Sequence, residues 1–262
     1  GGNDSGFSSI ASSDGVFIFD FNTQDEAVQD GNYLITVTAT DEAGNTSVPS
    51  QQLSITIDTT LPNAPVITTD LALTNINTPV IEGTAEAGST VELLNGTNVL
   101  GSVIAANDGS FSITSSVLVD DIYTLTVRAT DLAGNTSAES VGLPIEIDAT
   151  PPTQPTITTT TALTNINTPV IEGTAEAGST VELLNGTNVL GSVIAGNDGS
   201  FSITSSVLVD DIYTLTVRAT DLAGNVSAES VGLPIEIDAT VPNTPEKTTT
   251  TAITNINTPV IE

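Results

Sequence analysis

The stretch "YTLTVRAT", residues 123–130, alternates apolar and polar side chains at every position. Successive side chains of a β-strand point to opposite faces, so the apolar members from Tyr123 to Ala129 share one face. The same two-residue period returns in "GLPIEID", residues 142–148. No part of the chain has the 3.6-residue period of an amphipathic helix. The pattern predicts half-buried strands and an all-β fold.

Turn signals separate these strands. Asn95-Gly96 and Asn107-Asp108-Gly109 are typical of tight turns, because Asn, Asp and Gly tolerate positive φ. Short strands with a turn every 8 to 12 residues or so indicate an antiparallel immunoglobulin-like β-sandwich of about seven strands. We expect Pro144 to lie in an edge strand, since proline cannot donate a ladder hydrogen bond. The predicted strands are 65–68, 79–84, 90–95, 99–104, 110–114, 122–130 and 141–148.

Internal repetition sets the domain organisation. Residues 61–150 and 151–240 differ at only eight of 90 positions. Residues 31–58 match 121–148 at 16 of 28 positions, so an earlier and more divergent unit precedes the two copies. The predicted architecture is therefore an elongated array of tandem immunoglobulin-like sandwiches. Its predicted boundaries are a partial domain at 1–58, complete domains at 59–148 and 149–238, and the opening strands of another at 239–262.

Composition excludes several classes of function. The chain has 32 Asp plus Glu, three Lys plus Arg and no His, for a formal net charge of -29. Nucleic acid is not an expected partner, because binding phosphates requires clustered cations. The chain has no run of about 18 apolar residues, so we expect no direct insertion into a membrane. With neither His nor Cys to activate a nucleophile, we expect no enzymatic activity.

A family resemblance rests on residues 108–155, "DGSFSITSSVLVDDIYTLTVRATDLAGNTSAESVGLPIEIDATPPTQP". This stretch resembles the tandem bacterial immunoglobulin-like repeats of large surface adhesins, of the biofilm-associated and type I secreted RTX kind. The motifs that carry the likeness are ATD-x-AGN and the Pro-rich joint D-x-T-x-P. The resemblance implies an extracellular stalk on the bacterial cell surface, whose domain junctions bind Ca²⁺.

The position of the aspartates agrees with such junction sites. Asp148 ends the last strand of one unit, and Asp58 and Asp238 occupy the same position in the others. In an immunoglobulin-like sandwich the chain leaves one pole and meets the loops of the next domain's opposite pole. The neighbouring domains of the same chain are thus the expected partners.

Two junction sites follow from this topology. Carboxylates about 4 Å apart repel by roughly 4 kcal/mol at an effective dielectric near 20. A calcium ion bound between the carboxylates would remove this repulsion. Calcium accepts about six to eight oxygen ligands, and its coordination geometry is flexible. Asp120 and Asp121 are possible additional ligands. The predicted metal-binding residues are Asp148, Glu176, Asp221 and Asn225 at one junction, Asp58, Glu86, Asp131 and Asn135 at the other, and the equivalent Asp41, Asn45 and Asp238.

Other interpretations stay open at this point. Asp131 and Asn135 are also residues that stabilise turns through side-chain to backbone bonds, and Asp148 is also a simple strand end. Identical chains assembling end to end through strand addition by residues 241–262 would make a filament. A third function class is a glycan- or protein-binding module with its specificity in the loops.

Overall fold

The computed structural model describes residues 9–11, 15–17 and 28–246. Every regular element in these ranges is a β-strand. The described residues include no helix long and apolar enough to cross a membrane. The opening strands predicted at 239–262 fall mostly outside the described residues, as does much of the predicted partial domain at 1–58.

The strand bounds repeat with the sequence. The most N-terminal described strands are β1 (Gly31–Ile35) and β2 (Leu53–Ile57). The next eight are β3 (Val66–Ile67), β4 (Leu73–Thr74), β5 (Val80–Thr84), β6 (Thr90–Asn95), β7 (Asn98–Ile104), β8 (Ser110–Thr114), β9 (Asp121–Thr130) and β10 (Leu143–Ile147). The last eight have the same bounds shifted by 90 residues: β11 (Thr156–Ile157), β12 (Leu163–Thr164), β13 (Val170–Thr174), β14 (Thr180–Asn185), β15 (Asn188–Ile194), β16 (Ser200–Thr204), β17 (Asp211–Thr220) and β18 (Leu233–Ile237).

The chain packs into two compact units. The first takes in the described residues up to Ala72 together with Thr78–Leu118 and Ile122–Ile145. The second takes in Leu73–Asn77, Val119–Asp121 and the described residues from Glu146 onward.

The second unit contains a complete sandwich. One sheet has the order β11-β13-β16, and the other has the order β12-β18-β17-β14-β15. All pairings are antiparallel except that of β12 with β18, which is parallel. The Tyr213 hydroxyl donates to the carbonyl oxygen of Val209 at 3.0 Å, which is typical of the tyrosine corner of immunoglobulin-like domains. The predicted all-β immunoglobulin-like fold is confirmed.

Both sheets contribute to the core of this sandwich. Ile171, Phe201 and Ile203 come from the three-stranded sheet and are at most 5% exposed. The five-stranded sheet contributes Val181, Leu183, Leu215, Val217, Ile235 and Ile237. These residues occupy alternate positions along their strands, as the sequence pattern predicts. The core is aliphatic apart from one phenylalanine, because aromatic residues are scarce in the chain.

The edge-strand prediction for the proline strand is only half right. In the second unit β18 lies between β17 and β12, so it is an interior strand of its sheet. However, β12 pairs only with Glu236 and Ile237. Pro234 therefore lies beyond the end of β12, where no donor is needed on that side. The two-residue strand β12 was not predicted, since "LT" is too short to have a recognisable period.

The first unit contains β1 and β2, paired antiparallel, and two further groups of strands. β5 pairs with both β3 and β8, and β6 pairs with both β7 and β9. Arg128 of β9 forms an ion pair with Glu92 of β6, with 2.8 Å between Nε and Oε2. Arg128 and Glu92 are directly opposite each other in the register of these two strands, so the ion pair is a cross-strand contact.

Candidate functional site at the repeat junctions

The "DLAGN" segment forms a compact turn that its own aspartate organises. In the second unit Asp221 Oδ1 accepts the backbone N–H groups of Gly224 and Asn225, both at 2.8 Å. Asp221 Oδ2 accepts from Asn225 Nδ2 at 2.8 Å. This arrangement holds the asparagine carboxamide in one orientation. Turn stabilisation, one of the open interpretations, is therefore part of what these residues do.

The same turn occurs in the two preceding sequence repeats. Asp131 Oδ1 accepts the backbone N–H of Asn135, and Oδ2 accepts from the carboxamide, each at 2.8 Å. Asp41 and Asn45 form the identical pair of bonds at 2.8 Å. The carboxamide bonds hold the pKa of Asp131 and of Asp41 below the ordinary value of 3.8. The turn is thus a property of the motif, since it persists in the divergent unit.

The oriented carboxamide also reaches the preceding repeat. Asn225 Nδ2 donates to the carbonyl oxygen of Asp148 at 2.7 Å, and Asn225 is only 8% exposed. Asn135 Nδ2 donates to the carbonyl oxygen of Asp58 at 3.0 Å. The structure therefore brings Asp148 together with Asn225, and Asp58 together with Asn135, as the topology predicted. The contact is made by main-chain oxygens of the aspartates.

A second aspartate holds the same linker from the repeat that it leaves. Asp120, in the loop before β9, accepts the backbone N–H of Ala149 at 2.9 Å and the hydroxyl of Thr150. These bonds, the threonine hydroxyl first, hold the pKa of Asp120 below its ordinary value of 3.8. A donor to each carboxylate oxygen favours the charged form.

This second contact recurs at the other strand ends. Asp30 accepts the backbone N–H of Thr59 at 3.0 Å and the hydroxyl of Thr60 at 2.7 Å. Asp210 accepts the backbone N–H of Ala239 at 2.8 Å and the hydroxyl of Thr240. The hydroxyl bonds are the main cause of a lowered pKa at Asp30 and at Asp210 as well.

Each linker is consequently bonded from both sides. We call this arrangement the double clasp: Asp120 and Asn225 on the linker Asp148–Thr150, and Asp30 and Asn135 on the linker Asp58–Thr60. Within the first of these linkers, the Thr150 N–H also donates to Asp148 Oδ1 at 3.3 Å. Asp148, Ala149 and Thr150 thus each form hydrogen bonds that restrict the rotation of the linker.

The structure brings together only part of the calcium ligand set that the sequence predicts. The donor atoms are all oxygens, which suits calcium. Yet the described residues contain no group of three or more acidic side chains placed to hold a metal ion. Asp131 and Asp221 already accept N–H bonds on both carboxylate oxygens. Calcium binding at these junctions therefore stays a prediction, and we derive no chemistry through the ion.

The two predicted glutamate ligands have a local role. The carbonyl oxygens of Glu86 and Glu176 accept the backbone N–H of Ser89 and Ser179, respectively, at 3.1 Å. Among the described contacts, neither glutamate carboxylate is bonded to a junction aspartate. Asp238 donates its N–H to the Thr164 carbonyl oxygen at 3.0 Å, as expected of a strand end.

Sequence reasoning did not identify the part played by the loop aspartates. The sequence predicts Asp120 only as an additional ligand, and it predicts no role for Asp30 or Asp210. A signal was present, because each of the three lies 28 residues before a strand-terminal aspartate that precedes Thr-Thr or Ala-Thr. Only the tertiary structure relates that spacing to a contact.

The fold and the clasped linkers define a class: tandem immunoglobulin-like β-sandwich repeats. Comparison with known families agrees, since the model of the bacterial Ig-like domain matches residues 2–59, 67–149 and 153–239. The chain belongs to this family.

Longer proteins contain similar segments. Exoglucanase B of Cellulomonas fimi is 32% identical over an alignment of 224 residues that covers 78% of this chain and 20% of that protein. Chitinase A1 of Niallia circulans is 31% identical over an alignment of 199 residues that covers 71% of this chain and 27% of that protein. The chain thus spans about a fifth to a quarter of the length of these relatives.

Matches among solved structures include the fibronectin(III)-like modules of Clostridium thermocellum CbhA. That match has a TM-score of 0.46 and 19% identity, and it covers 69% of this chain and 97% of that one. The BSP domain of a biofilm associated protein matches with a TM-score of 0.28 and 20% identity, over 89% of this chain and 46% of that one.

Proposed function

We propose that this chain is a non-catalytic extracellular spacer, a stalk segment whose repeats are coupled by the double clasp. The observation that carries the proposal is the bonding of Asp148–Thr150 by Asp120 on one side and Asn225 on the other. A linker made only to tether two domains needs no such bonds, and Gly- or Ser-rich sequences serve that purpose. Repetition suits a spacer, because length increases with copy number while each repeat contacts only its neighbours.

Calcium is a separate component of the proposal. It is supported by the resemblance to surface adhesins and by the net charge of -29, which a divalent cation would partly neutralise. In this proposal calcium adds stiffness to junctions that the hydrogen bonds already couple. The whole protein would then be a bacterial surface adhesin.

A second whole-protein setting is favoured by the curated relatives. The segments that are 32% and 31% identical to this chain belong to an exoglucanase and a chitinase. In that setting the same spacer would separate modules of a secreted polysaccharide-degrading enzyme. The chain itself would be an accessory part without catalytic residues.

The filament alternative depends on residues 241–262, most of which lie outside the described residues, and it stays a prediction. The binding-module alternative predicts saturable capture of cellulose or chitin by the chain, whereas a spacer predicts none. A pull-down of the full chain on both polysaccharides separates these two classes.

Small-angle scattering of variants tests the coupling itself. Replacing Asp30 and Asp120 with alanine removes one side of both clasps, so we expect a more flexible particle than the wild type. The matched control replaces Asp108 and Asp198, which accept bonds from Ser110 and Ser200 in the same way but have no described bond to a linker residue. Both double variants remove two negative charges, so they change the net charge equally. Equal scattering from the two double variants would refute the proposed role of the clasp.

Calcium is tested on the wild-type chain by calorimetry and by scattering with and without a chelator. Heat of binding together with a stiffer particle would support the calcium component. Absence of both would remove calcium from the proposal and leave the clasp to be decided by the aspartate variants.

A further inference from the structure

The two clasped linkers differ at one informative position. Gln154 follows the second linker, and Ala64 is its equivalent after the first. The side-chain Nε2 of Gln154 donates to the carbonyl oxygen of Glu229, in the loop between β17 and β18. Alanine has no donor with which to make this bond.

The acceptor loops, residues 131–142 and 221–232, differ only at Thr136 and its equivalent Val226. Glu229 Oε2 accepts the hydroxyl of Thr216 at 2.8 Å, and Glu139 Oε2 accepts the hydroxyl of Thr126 at 2.7 Å. These bonds place the two loops in the same way against β17 and β9. The repeats therefore differ in the donor at this contact and not in the presentation of the acceptor.

Burial differs in the same direction. Asn225 and Ser230, in the loop that Gln154 contacts, are 8% and 7% exposed, whereas their equivalents Asn135 and Ser140 are half-buried. Asn75 lies against the same loop, with its Nδ2 3.6 Å from the position of a Cβ on Gly224. Gln154 bonds to this loop at Glu229, nearer to β18.

We propose that Gln154 is a tie that makes the second junction more rigid than the first, so that this position sets the stiffness of each joint. The inference deepens the proposed spacer function and depends on it. One residue just after the linker would thus grade flexibility along a chain of nearly identical repeats. The partner of the tie is the loop after the longest strand of the repeat that the linker enters, bound through its main chain.

Spin labels on the full chain can measure each junction separately, because the sequence contains no cysteine. Cysteines at Thr114 and Thr204 report on the second junction, and cysteines at Ser54 and Thr114 report on the first. All three positions are exposed strand residues. Pulsed electron–electron double resonance gives the distribution of distances between the two labels. The width of this distribution measures the motion of the joint.

We expect the wild-type distribution to be narrower at the second junction. One neutral hydrogen bond changes an open-to-closed ratio by about fivefold, so Gln154→Ala should raise the open fraction by about that factor. Gln154→Glu keeps the shape but loses the donor, and it should behave like the alanine variant. Ala64→Gln should narrow the distribution at the first junction.

An unchanged width in both Gln154 variants would overturn the inference. If the two wild-type junctions are both narrow and the Asp30 and Asp120 variants widen them, the spacer proposal survives that result. Broad distributions at both junctions, insensitive to the aspartate variants as well, would instead refute the clasp on which the inference depends.

Discussion

Replacing Asn225 with aspartate tests the clasp at its most buried residue. The substitution preserves size but converts the donor Nδ2 into a carboxylate oxygen. That nitrogen donates to the Asp148 carbonyl oxygen at 2.7 Å and to Asp221 Oδ2 at 2.8 Å. The variant loses both bonds and places oxygen against oxygen at each contact.

The expected magnitude follows from the two bonds. A neutral hydrogen bond contributes about 0.5–1.5 kcal/mol and one to a charged group about 1.5–3 kcal/mol, so the joint loses about 2–4.5 kcal/mol of local stability. This corresponds to a local opening constant raised between about 30-fold and about 1600-fold. Repulsion between the carboxylates of positions 221 and 225 adds to the loss.

Hydrogen exchange followed by mass spectrometry measures this effect on the full chain. Peptides covering 148–154 and 221–226 should lose protection in Asn225→Asp in the presence of a chelator. Unchanged protection in the 148–154 peptide would refute the view that the carboxamide couples the linker to the next repeat.

A matched variant isolates the contribution of the junction bond. Asn45 makes the same turn bonds to Asp41, but its carboxamide has no described linker contact and the residue is exposed. Asn45→Asp should therefore lose only the protection that comes from the turn. The larger loss in Asn225→Asp measures the bond to the Asp148 carbonyl oxygen.

The same variant distinguishes a calcium-binding junction from one held by hydrogen bonds alone. An additional carboxylate strengthens an oxygen-ligand site for calcium. If calcium binds at this junction, it should protect Asn225→Asp more than it protects the wild type. If calcium has the same effect on both proteins, position 225 is not a ligand.

Three further predictions concern the sandwich and the clasp. Gly173→Ala should destabilise the second repeat by about 1–3 kcal/mol or more in thermal unfolding, because the new Cβ would lie 2.0 Å from a carbonyl oxygen of β11; an unchanged melting temperature would contradict this packing. Leu183→Ala, at a residue 0% exposed, should cost about 2–5 kcal/mol through the cavity it leaves, and a loss below about 1 kcal/mol would mean that the site collapses freely. The bonds that lower the pKa of Asp120 contribute fully above its ordinary value of 3.8 and are lost as pH falls through the lower folded pKa. The NMR shift of the Ala149 amide should therefore titrate with a midpoint below 3.8, and a midpoint at or above that value would refute the bond.

Some features of the chain follow from local sequence alone. The alternation in "YTLTVRAT" identified the buried face of β9, since a strand has a period of two wherever it lies. The strands at 90–95 and 110–114 were predicted with the bounds that the structure has. The approach of the DLAGN loop to the preceding strand end was also predictable, because the topology of an immunoglobulin-like sandwich decides which loops share a pole.

Other features were decided by tertiary structure. The two-residue strand β12 exists only because β18 offers it a partner, and that pairing makes the proline strand interior. The hydrogen bonds of Asp131 and Asp120 depend on which donors lie within about 3 Å, and sequence spacing does not encode such distances. An aspartate and its threonine partner 30 residues away, like Asp120 and Thr150, become neighbours only when two strands of the sheet return the chain to the same pole. The sequence by itself therefore determined the period, the repeats and the poles, whereas the fold determined which oxygen meets which donor, because a hydrogen bond requires a contact that the chain makes only after it has folded.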